Sequence, residues 1–253
     1  MARAKLNTIT KNALNNFYKL IGVNLGNVIK EALQGASSSY TRVSFIDDFL
    51  GDSISPIWGA PAIVGTTPTV VVASTKHAVT LTLAATSEVE SAVFSGTDFL
   101  NYPIAKKPYF EVYAKYSRGA TAAASYARIG LASAVSTNTT EALLGDVVTN
   151  LWFKINDTGA ALTVTVESDD GTTDTDAKAL VGITPVSGTF YKYAIDASNL
   201  NAVKFYMNDI LVATTSMAAA TTATLQPVFV LGKVANASVP TLEIDYVKVE
   251  TDR

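Results

Sequence analysis

The sequence has no cysteine and only one histidine, His77, among its 253 residues. Disulfides, thiolate metal centres and cysteine nucleophiles are thereby excluded. A single histidine cannot assemble a multi-histidine metal site. With no Gly-x-Ser-x-Gly elbow in the chain, it has no obvious serine to activate. His77 therefore reads as a surface residue ahead of a strand. Charged residues are scarce, at 16% against 48% hydrophobic. Such a chain can bury a substantial core, and wholesale disorder is not expected. No apolar run reaches the roughly 18 residues that span a bilayer. Near the N-terminus, Arg3 and Lys5 are followed by Asn7, Thr8, Asn12, Asn15 and Asn16. That stretch lacks the apolar segment of a secretory signal, so no membrane partner is expected. There is no fixed-period repeat.

What charge there is lies unevenly. Residues 1–40 hold Arg3, Lys5, Lys11, Lys19 and Lys30 against Glu31 alone, a net +4. The whole chain is −3, which leaves −7 on the remainder. A basic arm on an acidic body either seeks an anionic partner or keeps an exposed segment soluble. Within the arm, Leu14, Phe17, Tyr18, Ile21, Leu25, Val28, Ile29 and Leu33 recur at helical spacing. Gly22 and Gly26 leave open one helix or two, Gly35 is a fitting stop, and residues 37–41 read as a linker. The apolar stripe must be buried against this chain's own sheet, a sister subunit or another protein.

From Arg42 the pattern changes to strands. Ala78–Leu83 alternates strictly, and Tyr109–Tyr116 places Tyr109, Glu111, Tyr113 and Lys115 on one face with Phe110, Val112, Ala114 and Tyr116 on the other. Leu151–Ile155 and Leu162–Val166 flank a turn at Asn156-Asp157-Thr158-Gly159. Further strands are expected at Tyr126–Ala132, Phe190–Ile195, Ala202–Tyr206, Ile210–Thr214, Val228–Leu231 and Leu242–Val249. Residues 167–178 and 215–224 read as loops. Many short strands with Gly, Asn, Asp or Pro turns and no intervening helix predict an all-β antiparallel sandwich or barrel.

Three landmarks refine this expectation. They are Phe45-Ile46-Asp47-Asp48-Phe49 followed by Trp58, the hairpin Ala202–Ala213 with Asn208-Asp209 at its turn, and the closing strand Thr241–Val249. In this order the chain resembles the concanavalin A-like (laminin-G/laminarinase-type) jelly rolls over residues 42–251. With its basic helical leader it is similar to capsid decoration and head-fibre proteins of tailed bacteriophages. That resemblance implies a jelly-roll sandwich at the virion surface, assembled in a host cytoplasm. It also implies a homo-oligomer, a trimer by preference, docked on a major capsid or other virion protein. Lys5, Lys11, Leu14, Phe17, Tyr18, Lys19, Ile21, Val28 and Leu33 would make the docking contacts.

Four further features of the sequence bear on chemistry. Glu243-Ile244-Asp245 resembles part of the laminarinase Glu-x-Asp-x-(x)-Glu strand. Retaining hydrolysis needs two carboxyls about 5 Å apart on one face. The next acid, Glu250, lies seven residues on, and in an unbroken strand it points to the opposite face. No enzyme is expected, nor a cofactor. The acids Asp169, Asp170, Asp174 and Asp176 around Gly171, or Asp47, Asp48 and Asp52, could supply oxygens to Ca²⁺, but a solvated hairpin tip explains the first set without a metal. The arm's cations are too dispersed to call for nucleic acid. A host glycan is the rival ligand, with Tyr109, Tyr113 and Trp152 as candidate binding residues among several sheet aromatics. Tyrosines at a sheet surface also pack across neighbouring strands, and both readings stand at this point.

Overall fold

The computed structural model describes residues 42–252 except 52, 74–76, 120–122, 134–148 and 219–221. The expected arm and linker, with all nine docking residues from Lys5 to Leu33, lie outside the described residues.

The strands in chain order are β1 Arg42–Asp47, β2 Ala62–Val64, β3 Thr69–Ala73, β4 Ala78–Thr82, β5 Glu90–Ser95, β6 Tyr102–Pro103, β7 Tyr109–Ser117 and β8 Ser125–Ala132. They continue as β9 Asn150–Asp157, β10 Leu162–Asp169, β11 Asp174–Ala179, β12 Phe190–Asp196, β13 Val203–Met207, β14 Ile210–Thr215, β15 Thr224–Lys233 and β16 Thr241–Asp252. They form two antiparallel sheets stacked as a sandwich. The first runs β14-β13-β12-β7-β16-β4-β3, with β1 also paired to β16. The second runs β11-β10-β9-β8-β15-β5-β2, with β6 paired to β15. The all-β sandwich expected from the strand pattern is the fold observed.

The inner faces supply the core. Phe110, Val112 and Ala114 of β7 face Ile129 and Leu131 of β8, Phe153 and Ile155 of β9 and Phe229 of β15 within one buried cluster. Each large apolar side chain so buried contributes roughly 1.5–3 kcal/mol. The entry landmark closes one end of this core. Trp58 stacks on Phe94 at 4.6 Å between centroids, and its indole N–H donates to Asp47 Oδ2 at 2.7 Å. Asp47 Oδ1 accepts the Phe49 N–H at 2.9 Å, so one carboxylate fixes both the turn after β1 and the tryptophan. One side of the sandwich is joined by Lys178, which donates from β11 to the Thr214 carbonyl of β14 at 2.5 Å.

Asn208 and Asp209 both hold positive φ, 47° and 65°, in the two-residue turn between β13 and β14. This is the backbone a right-twisted hairpin requires and one that Asn and Asp tolerate.

Two expectations are corrected. Residues 167–178 are not a loop: β10 and β11 pair through Ser168–Thr175 and Asp169–Asp174, leaving a four-residue turn. Asp170 Oδ1 accepts the Thr172 and Thr173 N–H groups at 3.0 and 2.6 Å, and Gly171 takes φ 79°, which lets the acidic stretch reverse so tightly. The second correction concerns β16. It is not an unbroken strand: its register with β7 passes from Ile244–Ala114 to Tyr246–Tyr113, so Asp245 is an extra, bulged residue. A bulge shifts side-chain parity by one. Tyr246, Lys248 and Glu250 therefore share the outward face with Glu243, while Leu242, Ile244, Val247 and Val249 are buried.

Candidate functional site

The two outward faces of the sandwich differ in kind. On the first sheet, β7, β12 and β16 lie side by side and present Tyr109, Glu111, Tyr113, Lys115, Phe190, Lys192, Tyr246, Lys248 and Glu250, all half-buried. The alternation in β7 is strict, so each odd-numbered residue from Tyr109 to Ser117 faces outward. Tyr113 is the middle of an aromatic row. Its ring lies 4.9 Å from Phe190 at 19° and 6.2 Å from Tyr246 at 18°. Beside the row, Glu111 accepts two phenol hydroxyls, from Tyr109 at 2.7 Å and from Tyr246 at 2.8 Å. Burial first, then the Glu111 hydrogen bond and charge, push both phenols well above the ordinary tyrosine range. The Tyr113 hydroxyl makes no hydrogen bond to a described residue.

Ammonium groups rim this row. Lys115 Nζ lies 4.5 Å over the Phe190 ring and 3.2 Å from Glu243. Lys248 pairs with Glu250 at 2.8 Å and reaches over Tyr109. Lys192 pairs with Asp209 of the β13–β14 turn at 2.5 Å, a bond that raises its affinity for the proton. The backbone N–H of Lys192 donates to the Asn208 side chain at 2.9 Å, which ties the turn to the edge of the face. The surface thus combines apolar ring area with fixed donors and acceptors, the composition that fits a polyhydroxylated ligand. It offers no divalent-cation cluster. Among the described residues no three acidic or histidine side chains converge as a metal site.

The outward face of the second sheet buries the side chains at its middle. Trp152 is 1% exposed, within a cluster of Val93, Tyr126, Ala132, Val228 and Val230. Its indole N–H donates to Glu167 at 3.0 Å, and Asn150 and Lys154 engage the same carboxylate. The structure therefore brings Tyr109 and Tyr113 together but places Trp152 on the opposite sheet, with its ring buried. Of the other sequence candidates, Asp47 is occupied by Trp58, Asp170 caps its own turn, and His77 is exposed at φ 51°. A cavity of about 10 Å³ lies between the sheets, lined by Tyr116, Ile155, Val164, Val186, Tyr191 and Tyr193. That is room for one water at most, not for a ligand.

Phe190, Lys192 and Tyr246 were not singled out from the sequence. An unbroken strand would put Tyr246 on the face opposite Glu243, and the bulge at Asp245 that brings it round leaves no local signal in the sequence. Phe190 and Lys192 join the site only through the β12–β7 pairing.

No family model and no curated protein matches the sequence. Solved structures do match. The Emp47p carbohydrate recognition domain superposes with a TM-score of 0.58 at 9% identity, covering 85% of this chain and 99% of that one. An endo-acting O-glycanase of the human gut microbiota gives 0.55 at 12%, covering 83% and 99%. The Bacillus licheniformis β-glucanase gives 0.51 at 12%, covering 83% and 98%. The fold is that of the concanavalin A-like jelly rolls. At these identities the likeness is one of fold, and the expected kinship with bacteriophage proteins finds no counterpart in these structures.

Proposed function

We propose that this concanavalin A-like sandwich binds carbohydrate through the outward face of its first sheet, centred on Tyr113. One observation carries the reading. Of the two outward faces, the first combines half-buried aromatic rings with polar groups, whereas the second has its tryptophan and tyrosine buried. The free Tyr113 hydroxyl, the ring edges of Phe190 and Tyr246, and Lys192 would meet sugar hydroxyls and C–H faces. That proteins of the same fold include a carbohydrate recognition domain and glycan hydrolases supports this choice of ligand class.

Binding is proposed rather than hydrolysis. The carboxylates bordering the aromatic row are engaged: Glu111 by two phenols, Glu243 by Lys115 and Glu250 by Lys248. None of these three is left as an unpartnered acid opposite a second carboxylate at the separation that retaining hydrolysis uses. Each of the three ammonium groups is paired with a carboxylate, Lys115 with Glu243, Lys192 with Asp209 and Lys248 with Glu250, and Glu111 adds a further negative charge, which favours neutral over anionic glycans.

The test is a glycan array with the full chain, followed by titration calorimetry on Tyr113→Ala. Saturable binding to a neutral glycan, weakened about tenfold in the variant (~1.4 kcal/mol), is the expected result. Unchanged affinity in Tyr113→Ala would move the site elsewhere, and reducing-end release from any bound glycan would replace binding by hydrolysis. A virion-surface placement rests on the resemblance to bacteriophage decoration proteins that the basic, amphipathic residues 1–36 carry. Cosedimentation of the chain with phage particles, lost on deleting that segment, is its test.

A further inference from the structure

Lys233 ends β15 and is fully buried, at 0% exposure, as is Glu90 at the start of β5. A buried ammonium is costly unless oxygen atoms replace its water. Here five do so. Lys233 Nζ lies 2.5 Å from the Ala84 carbonyl, 2.8 Å from that of Thr86, 2.9 Å from that of Asn236 and 3.2 Å from that of Ser238. Glu90 Oε2 completes the set at 3.3 Å.

An ammonium has three N–H donors. Five oxygens outnumber them, so the group is surrounded in the manner of an ion rather than matched bond for bond. The shell is also held by bonds in which the lysine takes no part. Asn236 fixes its own loop by donating to the Ala124 and Val234 carbonyls at 2.9 Å and accepting the Ser238 N–H at 2.8 Å. Glu90 fixes the other loop by accepting the Ala84 N–H at 2.8 Å and the Thr86 hydroxyl. Four neutral carbonyls and one carboxylate carry a single negative charge, which balances one positive charge and not two. Distances reaching 3.3 Å are longer than the roughly 2.3–2.6 Å of Ca²⁺ and far longer than the ~2.1 Å of Mg²⁺.

We propose that this shell is a monovalent-cation site whose resident ion is the covalently tethered Lys233 ammonium, and that with the tether removed it accepts a free cation of potassium or ammonium size. In the native chain the tether replaces a metal. It closes residues 84–90 onto residues 233–238 without a dissociable ion.

The experiment compares the full-length wild type with Lys233→Ala in choline, sodium, potassium, ammonium and calcium chlorides at matched ionic strength. In choline the variant should melt about 6–20 °C below the wild type, as removing one member of a buried pair does in a domain of this size. Potassium or ammonium should restore at least half of that loss saturably and leave the wild type unmoved. Equal melting of the variant in choline and potassium overturns the proposal, as does recovery by calcium alone. Should the variant fold in no salt, the wild type decides. Its lysine-selective ¹H–¹⁵N spectrum should contain one slowly exchanging NH₃⁺ group that persists in choline, and the absence of that group rejects the site.

Discussion

Tyr246 donates its hydroxyl to Glu111 across the β7–β16 pair at 2.8 Å, although the two residues are 135 positions apart in the chain. Tyr109 donates to the other oxygen of the same carboxylate from two residues away. A single acidic side chain therefore orients two phenols of the candidate surface. In Glu111→Gln the charge is lost while the shape remains. Tyr109 and Tyr246 should then ionise at lower pH than in the wild type, because part of what holds them protonated is the Glu111 charge. Tyrosine Cζ resonances followed through an alkaline titration should show two residues moving. If neither moves, burial alone governs these phenols.

The same groups set the alkaline limit of the fold. Burial raises Tyr102 to about 12, and it pushes Tyr109, Tyr116, Tyr193 and Tyr246 higher still, from an ordinary value of 10.0. A phenol whose proton is held more tightly in the folded chain than in the unfolded one stabilises the fold fully below the unfolded value. That contribution is lost as pH rises above it, since the unfolded chain then sheds protons first. Urea midpoints should accordingly be insensitive to these phenols up to about pH 10 and fall steeply beyond it. A midpoint that held steady well above pH 10 would mean that the buried tyrosines do not resist ionisation.

Trp152 offers a contrast with Tyr113. Its ring is buried and its N–H is one of several donors on Glu167. Trp152→Phe removes that donor from a buried carboxylate, at a cost of about 1–3 kcal/mol in chemical denaturation. Glycan affinity at the opposite sheet should be unchanged. A variant with wild-type stability and lost binding would assign the ligand to the second sheet instead.

These outcomes turn on features of unequal visibility in the sequence. The alternation in β7 is plain because one face meets the core and the other water, and Tyr109 and Tyr113 could be read from it. The entry, hairpin and closing landmarks each correspond to a strand or turn of the sandwich. β5 escaped notice because Glu90–Phe94 is buried on both faces, so its side chains show no period-two contrast. β11 was hidden by its own acids, which read as a loop. The bulge at Asp245 mattered most. It depends on pairing with a strand more than a hundred residues away, and it decides that Tyr246 stands beside Tyr113.

The acidic hairpin yields a prediction of opposite sign. Asp169 and Asp174 face each other directly across β10 and β11. Partial burial first, then neighbouring carboxylates, raise both above the ordinary aspartate value of 3.8: Asp170, Glu167 and Asp176 act on Asp169, and Asp176, Glu167 and Asp169 on Asp174. For an acid so shifted, the folded chain holds more protons than the unfolded one between the ordinary and the raised value. Stability therefore falls as pH rises through that window, and the penalty persists at neutrality. Because Asp174 is largely exposed, solvent screens the repulsion, and the penalty should match that of an ordinary like-charged cross-strand pair, about 0.2–1 kcal/mol. Asp174→Asn should thus stabilise the protein near neutral pH. The gain should vanish below 3.8, where both carboxyls of the wild type are protonated. Equal gains at both pH values would trace the effect to strand propensity, and a loss at neutrality would show that this pair of acids holds the turn together rather than straining it.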